Sequence, residues 1–256
     1  MSHTLRDYAD AHFAEIADRK QRETAAERRL VRLFFGDKTA GTYVEVGAND
    51  PVAFSQTHHL EEHGWSGLLI EPIPELCDAL RAQRPASTVV QVACGKPADR
   101  GQAEFAVAAD HQQSALKRDQ LDFQTDTQRT ITVEVVTLDD VLDQHPTPTG
   151  EPYDLVSIDV EGMQREVLEG FDLNRHRPRL LLIEDHLTDL RTHRHIKAKG
   201  YRLAKRTGLN NWYIPKGQPF TLASAGERFA LWRKLYLRTW FRGLRFRLLR
   251  RIKGTG

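Results

Sequence analysis

The chain has 256 residues, of which 40% are hydrophobic and 28% are charged, and its formal net charge at pH 7 is +2. These values predict an ordinary globular protein, long enough for one well-packed α/β domain and an appendage. The two cysteines, Cys77 and Cys94, stand in no metal-ligand spacing, so neither a disulfide framework nor a zinc site has support. The N-terminus has no apolar core suited to a signal peptide, and no uncharged run approaches the ~20 residues of a membrane span. We therefore expect a cytoplasmic protein.

The first segment of the chain predicts helices. Between Leu5 and Phe35 the sequence is charged and alanine-rich, and its apolar residues recur at helical intervals. We expect one or two helices that pack against the domain in a structural role. Residues 1–38 are accordingly interpreted as a helical extension, residues 39–217 as the main domain and residues 218–256 as a C-terminal tail.

Apolar runs alternate with helical patterns through the main domain. The runs predict strands over residues 42–46, 67–70, 88–93, 153–158, 179–183, 201–206 and 211–214. The patterns between them predict helices over residues 54–63, 72–84, 138–142, 164–168 and 187–199, with Thr137 as the N-cap of the third. Strands that alternate with helices, followed by a closing pair of strands, indicate an α/β, doubly wound sheet with antiparallel character at one edge.

An insertion interrupts this alternation after the third strand. Two short alternating runs, residues 103–107 and 130–136, predict a hairpin. The polar loop between them could fold over the ligand edge of the sheet, because loops of this length are more often functional than inert. Its polar residues include His111, Gln112, Gln113 and Ser114.

Acidic residues stand where the first two strands end. Glu45 interrupts the strand that leads into the turn Gly47-Ala48-Asn49, and Glu71 ends the next strand. The carboxyl ends of parallel strands form the edge where such sheets bind ligands, and acids in buried runs are costly without a partner, so we favour a functional role. The turn lacks the G-x-G-x-x-G pattern of dinucleotide sites, which suggests a nucleoside ligand without phosphates.

Three elements of the sequence together resemble the FkbM-type S-adenosylmethionine-dependent methyltransferases, over roughly residues 41–215. The elements are Val44-Glu45-Val46-Gly47-Ala48-Asn49-Asp50 with Ser55 and Thr57, Ile70-Glu71-Pro72, and Asp159-Val160-Glu161-Gly162. The sequence departs from the family pattern at Pro51, where glycine is common, and at Gln56, where asparagine is frequent. The resemblance implies the Rossmann-like class I methyltransferase fold, with a mostly parallel seven-stranded sheet and S-adenosylmethionine across its carboxyl edge.

The resemblance also implies a donor site on the first three strand ends. Glu45 and Gly47 would shape the turn around the methionine part of the donor, which Asn49 would also contact. Glu71 would accept hydrogen bonds from both ribose hydroxyls, and Ala93 would border the adenine. The expected cofactor-binding residues are Glu45, Gly47, Asn49, Ser55, Glu71, Pro72, Ala93 and Asp159.

Methyl transfer from a sulfonium requires in-line positioning and, for a hydroxyl acceptor, a group that takes the proton. The catalytic candidates are Asp159, Glu161, Glu184 and His186. Glu161 could instead stabilise the first turn of the next helix, and His186 could be a solvated loop residue. The same residues could hold a divalent cation, but their spacing matches no fixed metal motif and we do not favour one.

We expect O-methylation of a hydroxyl on a saccharide or another small or lipid-linked acceptor. The alternatives are an RNA methyltransferase guided by the basic tail and a cofactor-binding scaffold without catalysis, because a fold alone does not specify a substrate.

The C-terminal tail is strongly basic, since from Gly226 onward it carries ten basic residues and the single acid Glu227. Plotted as a helix, it places aromatic and basic side chains on opposite sides. These are Phe229, Trp232, Tyr236 and Trp240 on one side, and Lys234, Arg238, Arg242 and Arg245 on the other. We rank an anionic membrane surface first as its partner, which would bring the protein to the inner face of the membrane. A helix packed on the domain ranks second and nucleic acid third.

Overall fold

Strands and helices alternate along the chain in the computed structural model, which describes residues 22–53, 55–108, 127–185 and 190–238. The helices are α1 (residues 22–35), α2 (His58–Glu61), α3 (Pro74–Gln83), α4 (Leu138–Gln144), α5 (Gln164–Glu169), α6 (Leu173–His176), α7 (Arg191–Ala198) and α8 (Ala225–Arg233). The strands are β1 (Thr42–Val46), β2 (Ser66–Ile70), β3 (Ser87–Val90), β4 (Ala93–Cys94), β5 (Gly101–Ala108), β6 (Thr127–Val136), β7 (Leu155–Ile158), β8 (Leu180–Glu184), β9 (Tyr201–Thr207) and β10 (Asn210–Pro215).

A seven-stranded sheet with the order β3-β2-β1-β7-β8-β10-β9 lies at the centre of the fold. Its first five strands run parallel, and β10 runs antiparallel between β8 and β9. The predicted doubly wound, mostly parallel sheet with one antiparallel edge is therefore confirmed. The strand order reverses between β1 and β7, and at such a switch point a crevice opens outside the carboxyl ends of the strands.

Alternate residues of the central strands point to opposite sides of the sheet and fill two apolar clusters. One cluster includes Val44, Val46, Ile70, Val156, Ile158 and Ile183, together with Leu138 of α4 and Val167 of α5. The other includes Tyr43, Leu69, Leu155, Leu182 and Trp212, together with Val31 of α1. Because helices cover both faces, the strands need apolar residues on both sides, which explains their nearly continuous apolar sequences.

The prediction of one strand over residues 88–93 was wrong in its extent. β3 ends at Val90, and Ala93 and Cys94 instead pair with Val135 and Val136 in a second sheet of order β4-β6-β5. The Val92 amide donates a hydrogen bond to the carbonyl of Val90 at 3.2 Å, which marks the break between the two strands. The single apolar run therefore contributes one strand to each of two sheets. The predicted hairpin is present as the antiparallel pair β5 and β6. The loop with His111, Gln112, Gln113 and Ser114 lies outside the described residues.

Two helices are shorter than the sequence predicts. The pattern over 54–63 yields only α2, because the segment just before it is tied to Glu45 rather than to helical partners: Glu45 accepts hydrogen bonds from the Gln56 amide and the Thr57 hydroxyl. The pattern over 187–199 yields α7, and residues 186–189 are not described. The predicted Thr137 cap is confirmed by a capping box with Asp140.

The C-terminal helix α8 begins at a second capping box, formed by Ser224 and Glu227, and continues into a π-helical turn (Lys234–Arg238). Three residues of the predicted aromatic and basic faces lie beyond the described part of the chain: Trp240, Arg242 and Arg245. No helix within that part combines the length and the apolar character needed to cross a bilayer.

Candidate active site

A cavity of about 500 Å³ opens at the carboxyl edge of the sheet, over the switch point between β1 and β7. Four parts of the chain form its walls besides the turn after β1: helix α1, the ends of β7 and β8, and the turn between β9 and β10. Its lining is rich in carboxylates. They belong to Glu23, Glu27, Glu45, Asp50, Asp159, Glu161 and Glu184.

The turn after β1 brings the backbone of two strands into close contact. Gly47 has φ of 80°, and its amide donates to the carbonyl of Ile70 at 2.9 Å. A Cβ at this position would lie only 1.9 Å from the carbonyl oxygen of Asp159. Asn49 follows with φ of 46°. Glycine is therefore required here both for its positive φ and for the approach of the β7 backbone.

Pro51, which departs from the family pattern, is accommodated just beyond this turn. The Asp50 carboxylate accepts hydrogen bonds from the amides of Val52 at 2.8 Å and Ala53 at 2.6 Å. The carbonyl of Pro51 accepts one from Arg84 at 3.1 Å. The residues with positive φ precede the proline, so the proline ring does not have to adopt that conformation.

Glu45 and Ser55 hold the loop that follows the turn. The buried Glu45 carboxylate accepts hydrogen bonds from the Ser55 hydroxyl at 2.8 Å and the Gln56 amide at 2.6 Å, and also from the Thr57 hydroxyl. A buried carboxylate with this many donors is well compensated for its lost hydration. Glu45 thus borders the cavity while its oxygens are bonded to the protein.

Arg84 lies at the centre of the same network, and the sequence reasoning assigned it no role. Its side chain is fully buried at the end of α3. It forms an ion pair with Glu61 at 2.5 Å and lies 4.0 Å from Glu45. Its other hydrogen-bond acceptors are Tyr43, Pro51, Ser55 and Thr57. Burial alone would lower the pKa of this guanidinium, but Glu45, Tyr43 and Glu61 raise it, so Arg84 remains charged.

Glu71 supports the turn from the β2 side. Its two carboxylate oxygens accept hydrogen bonds from the amides of Asn49 and Ile73, each at 3.0 Å. Only 4% of the residue is exposed, and this burial raises the pKa of the carboxyl to about 7, although the two amides lower it. Each carboxylate oxygen has a further lone pair, so the group retains capacity to accept from a ligand.

The described residues that line the cavity do not include four of the expected cofactor-binding residues, Ser55, Glu71, Pro72 and Ala93. Glu71 is bonded to Asn49 of the turn, Ser55 is bonded to Glu45 just before the turn, and Pro72 follows Glu71 in the sequence. Ala93 is placed differently from expectation, because it belongs to β4 and packs in an apolar cluster with Phe105 and Val107 instead of ending β3.

The structure brings three of the four catalytic candidates together. Asp159 follows β7, and its amide donates to the carbonyl of Val46 at 3.0 Å, which fixes it beside the turn after β1. Glu161 has the left-handed φ of 33°, and Glu184 ends β8 opposite Asn210. All three line the cavity. His186 lies outside the described residues.

Helix α1 forms one wall of the cavity, whereas the sequence predicted only a structural role for this segment. Glu27 is buried and accepts hydrogen bonds from Asn210 at 2.6 Å, from the Trp212 indole at 3.0 Å and from the Thr207 hydroxyl. Burial raises the pKa of Glu27. The adjacent Arg28 donates to the carbonyl oxygens on the other side of the cavity, at 2.6 Å to residue 52 and 2.8 Å to residue 55. The helix thus joins the β9–β10 turn to the loop after β1.

Carboxylate side chains such as those in the cavity lining can also coordinate a divalent cation. Within the described ranges, no group of three or more His, Cys, Asp or Glu side chains is arranged to hold a metal ion. The backbones of Gly47 and Asp159 approach closely beside the cavity, and Glu71 accepts a hydrogen bond from Asn49 of the cavity lining. Carboxylates in such a lining are complementary to a positively charged ligand.

The strand order and the position of the cavity at the switch point define a doubly wound, Rossmann-like fold. The family model described as "Methyltransferase FkbM domain" matches residues 45–203, more than half of the chain. The chain belongs to this family of S-adenosylmethionine-dependent methyltransferases.

The solved structures to which this chain is similar are distant in sequence. A precorrin-6y C5,15-methyltransferase from Geobacter metallireducens is 12% identical, with a TM-score of 0.41 over 75% of this chain and 85% of that chain. A conserved hypothetical protein from Streptococcus pyogenes is 10% identical, with a TM-score of 0.43 over 75% of this chain and 98% of that chain. A TehB-like methyltransferase from Corynebacterium glutamicum is 12% identical, with a TM-score of 0.39 over 81% of this chain and 99% of that chain. The comparison with curated proteins finds no match.

Proposed function

We propose that the protein transfers a methyl group from S-adenosylmethionine to a hydroxyl of a saccharide or another small, polyhydroxylated acceptor. The observation that carries this proposal is the lining of the cavity, in which Asp159, Glu161 and Glu184 meet beside the turn after β1. An ionised carboxylate only accepts hydrogen bonds, and each of its oxygens can accept more than one. A ligand with several hydroxyl donors is complementary to such a lining.

The donor supplies an activated methyl group, so the residues have to align the acceptor and take up its proton. Asp159 is the candidate base that lies next to the turn after β1, because its backbone contacts both Val46 and Gly47. Glu184 lies on the acceptor side, opposite the β9–β10 turn. We assign proton removal to Asp159 and orientation of a second acceptor hydroxyl to Glu184. A correctly placed carboxylate base contributes a factor of about 10²–10⁴ to the rate.

Methyl transfer from labelled S-adenosylmethionine to methyl glycosides, glycerol and transfer RNA tests this proposal. We expect label in a hydroxylated small acceptor, a loss of at least about 10²-fold in kcat for Asp159→Asn, and a raised KM for the acceptor in Glu184→Gln. The exposed Glu104 on β5 provides the control variant Glu104→Gln, which should leave kcat and the KM for the acceptor unchanged. Label in RNA alone would favour the RNA methyltransferase, and donor binding without any transfer would favour the scaffold.

A membrane surface is the partner that we propose for α8. Its aromatic side chains are exposed to an unusual degree, 63% for Phe229 and 49% for Trp232, and their rings stack at 6.0 Å. Exposed aromatic residues beside a basic sequence match an interfacial helix on anionic lipids. Tyr236 continues this face but also packs against Lys197, with the ammonium 5.9 Å from the ring centre.

Flotation with phosphatidylglycerol vesicles checks the membrane proposal. The double variant Phe229→Ser and Trp232→Ser should lose binding, while Leu33→Ser, which removes an exposed apolar residue from α1, should retain it. Equal binding of the two variants would contradict the assignment to α8.

A further inference from the structure

The cavity carries more negative charge than the methyl donor can balance. None of the described residues that line it is a lysine, an arginine or a histidine. Two of its carboxylates are satisfied within the protein, because Glu45 accepts three hydrogen bonds and Asp50 accepts two. S-adenosylmethionine has a sulfonium, an ammonium and a carboxylate, and therefore a single net positive charge. The donor thus leaves carboxylates on the opposite side of the cavity without a counter-charge.

Three of these carboxylates form the wall on the side of β8 and β10, which we call the acidic wall: Glu23 and Glu27 of α1, and Glu184 at the end of β8. β8 and β10 are the second and third strands from β1, so the wall lies about 10–15 Å from the turn after β1. Asn210 joins two of its members, because its side chain donates to Glu27 at 2.6 Å and its backbone pairs with Glu184. A Cβ on Gly208 would lie 3.1 Å from Glu23 Oε2, which places this carboxylate over the β9–β10 turn.

The acidic wall is not balanced by a cation of the protein. Over residues 22–53, 55–108, 127–185 and 190–238, no basic side chain forms an ion pair with Glu23, Glu27 or Glu184. The protein donors to Glu27 are the neutral groups of Thr207, Asn210 and Trp212. In the same ranges, the side chain of Glu184 has no hydrogen-bond donor. Arg28, the neighbour of Glu27 in sequence, donates instead to backbone carbonyls across the cavity.

Two members of the acidic wall also repel each other. Glu27 is 3% exposed, and its burial and the charge of Glu184 raise the pKa of its carboxyl, although its three donors lower it. A cation held between two carboxylates removes their repulsion and favours the ionised form of both. Such acids at the wall of a cavity are typical of binding sites. The arrangement therefore favours a ligand with a positive charge at this wall.

A separate feature of the lining also points to a ligand with hydrogen-bond donors. The Oε1 atom of Gln56 is buried, and it has no hydrogen-bond partner among the described residues. A buried acceptor of this kind costs free energy unless a ligand donates to it. In the described part of the chain, no three acids are arranged to hold a metal ion, so an organic cation fits the wall better. An ammonium group has three N–H donors and matches the free lone pairs of carboxylates.

We propose that the acceptor carries a protonated amino group that binds at the acidic wall, so that the acceptor is an amino sugar or an amino polyol. This inference rests on the proposed function and narrows its acceptor, because the second group that Glu184 orients is then an ammonium. An ammonium nitrogen has no lone pair, so the methyl group goes to a hydroxyl. The hydroxyl oxygen bonds to the methyl carbon as the carbon–sulfur bond breaks. The electron pair of that bond stays on sulfur, which gives S-adenosylhomocysteine, and the hydroxyl proton moves to Asp159.

Calorimetry on the full chain saturated with S-adenosylhomocysteine tests the acidic wall. The probes are two matched pairs that differ by an amino group, serinol with glycerol and glucosamine with glucose. We expect each amino compound to bind at least about tenfold more tightly than its neutral partner, because hydrogen bonds between charged groups are the strong ones. Equal affinity within both pairs would overturn the proposal, and so would the absence of binding by both amino compounds.

Variants of the acidic wall locate the preference for the amino group. Glu27→Gln and Glu184→Gln should each reduce this preference at least about fivefold and leave the affinity for glycerol and glucose unchanged. The exposed-site control Glu104→Gln should keep the full preference. Thermal unfolding separates lost binding from lost folding, and the partly exposed Glu184 provides the test if Glu27→Gln does not fold. A preference that persists in folded Glu184→Gln would overturn the proposal.

Methyl transfer to glucosamine and to glucose separates this inference from the proposed function. We expect kcat/KM to be at least about tenfold higher for glucosamine, and mass spectrometry of the product should place the methyl group on oxygen. Equal kcat/KM for the two sugars, or a methyl group on nitrogen, would refute the inference and leave methyl transfer in place. Selective binding of the amino compounds without transfer to any acceptor would refute the proposed function and leave a cation-binding wall.

Discussion

Ionisation of Glu71 should couple the affinity for the methyl donor to pH. The carboxyl is 4% exposed, and burial raises its pKa to about 7. Ribose hydroxyls donate hydrogen bonds to the ionised carboxylate, and the amides of Asn49 and Ile73 already do so. If the family role of Glu71 holds in this chain, the donor binds the ionised form and stabilises it.

The magnitude follows from the fraction of Glu71 that is ionised. Below its pKa of about 7, each pH unit reduces that fraction about tenfold, which corresponds to about 1.4 kcal/mol of binding free energy. Titration calorimetry with S-adenosylhomocysteine, which lacks the sulfonium charge, should give a Kd that rises about tenfold per unit as the pH falls below 7 and is constant above about pH 8.

Two variants test whether Glu71 causes the pH dependence of donor binding. Glu71→Gln should bind weakly and without this pH dependence, and the exposed-site control Glu104→Gln should retain it. A constant Kd between pH 5.5 and 8 in the wild type, or a pH dependence that persists in Glu71→Gln, would refute the reasoning.

The same pKa affects the stability of the empty protein with a defined sign. Between the ordinary pKa of 4.5 and about 7, the unfolded chain has lost the Glu71 proton and the native state retains it. The native state binds more protons, so this group makes the free energy of unfolding fall as the pH rises through that window, by about 1.4 kcal/mol per unit. Glu71→Gln removes this contribution.

Three further substitutions give independent tests. Arg84→Met leaves buried acids without their cation and should cost about 3–5 kcal/mol in urea unfolding; a cost below about 1 kcal/mol would show that the network is dispensable. Gly47→Ala should abolish binding of S-adenosylhomocysteine, because the new Cβ would lie 1.9 Å from the carbonyl oxygen of Asp159. The control variant is Gly150→Ala. Gly150 also has a positive φ, of 71°, but open space around it, so this variant should lower stability by only about 1–2 kcal/mol. Glu27→Gln should raise the acceptor KM and lower stability by about 1–3 kcal/mol, without changing the affinity for S-adenosylhomocysteine. A lower affinity for S-adenosylhomocysteine with an unchanged acceptor KM would show that α1 contacts the donor and not the acceptor.

The parts of the fold that the sequence predicted are those set by local pattern. The apolar runs identify the strands of the main sheet, and the Thr137 cap follows from the residue type and its spacing to the next helix. The acids at strand ends could be placed at one edge because parallel strands bring their carboxyl ends together. Asp159 and Glu184 accordingly meet in one cavity although 25 residues of sequence separate them.

The parts that the sequence did not predict depend on long-range contacts between side chains. Arg84 ends an ordinary amphipathic helix, and nothing in its neighbours along the chain indicates that it is bonded to Pro51 and Glu61. Glu27 is one of two acids in helix α1, and nothing nearby in the sequence indicates that it is buried against Asn210 and Trp212, far along the chain. The break between β3 and β4 likewise depends on pairing with β6.

The family domain and the segments that flank it contribute different parts of the site. The family match covers residues 45–203, which includes the turn after β1, Glu71 and Asp159. Helix α1 and the β9–β10 turn lie outside it, yet they supply two of the walls of the cavity. Donor chemistry is common to a family, whereas acceptors differ among its members, because function resides in sites added to a fold. The acceptor should therefore be sought through the segments that flank the family domain, and exchanging these segments between members should exchange acceptors while leaving the affinity for S-adenosylhomocysteine unchanged.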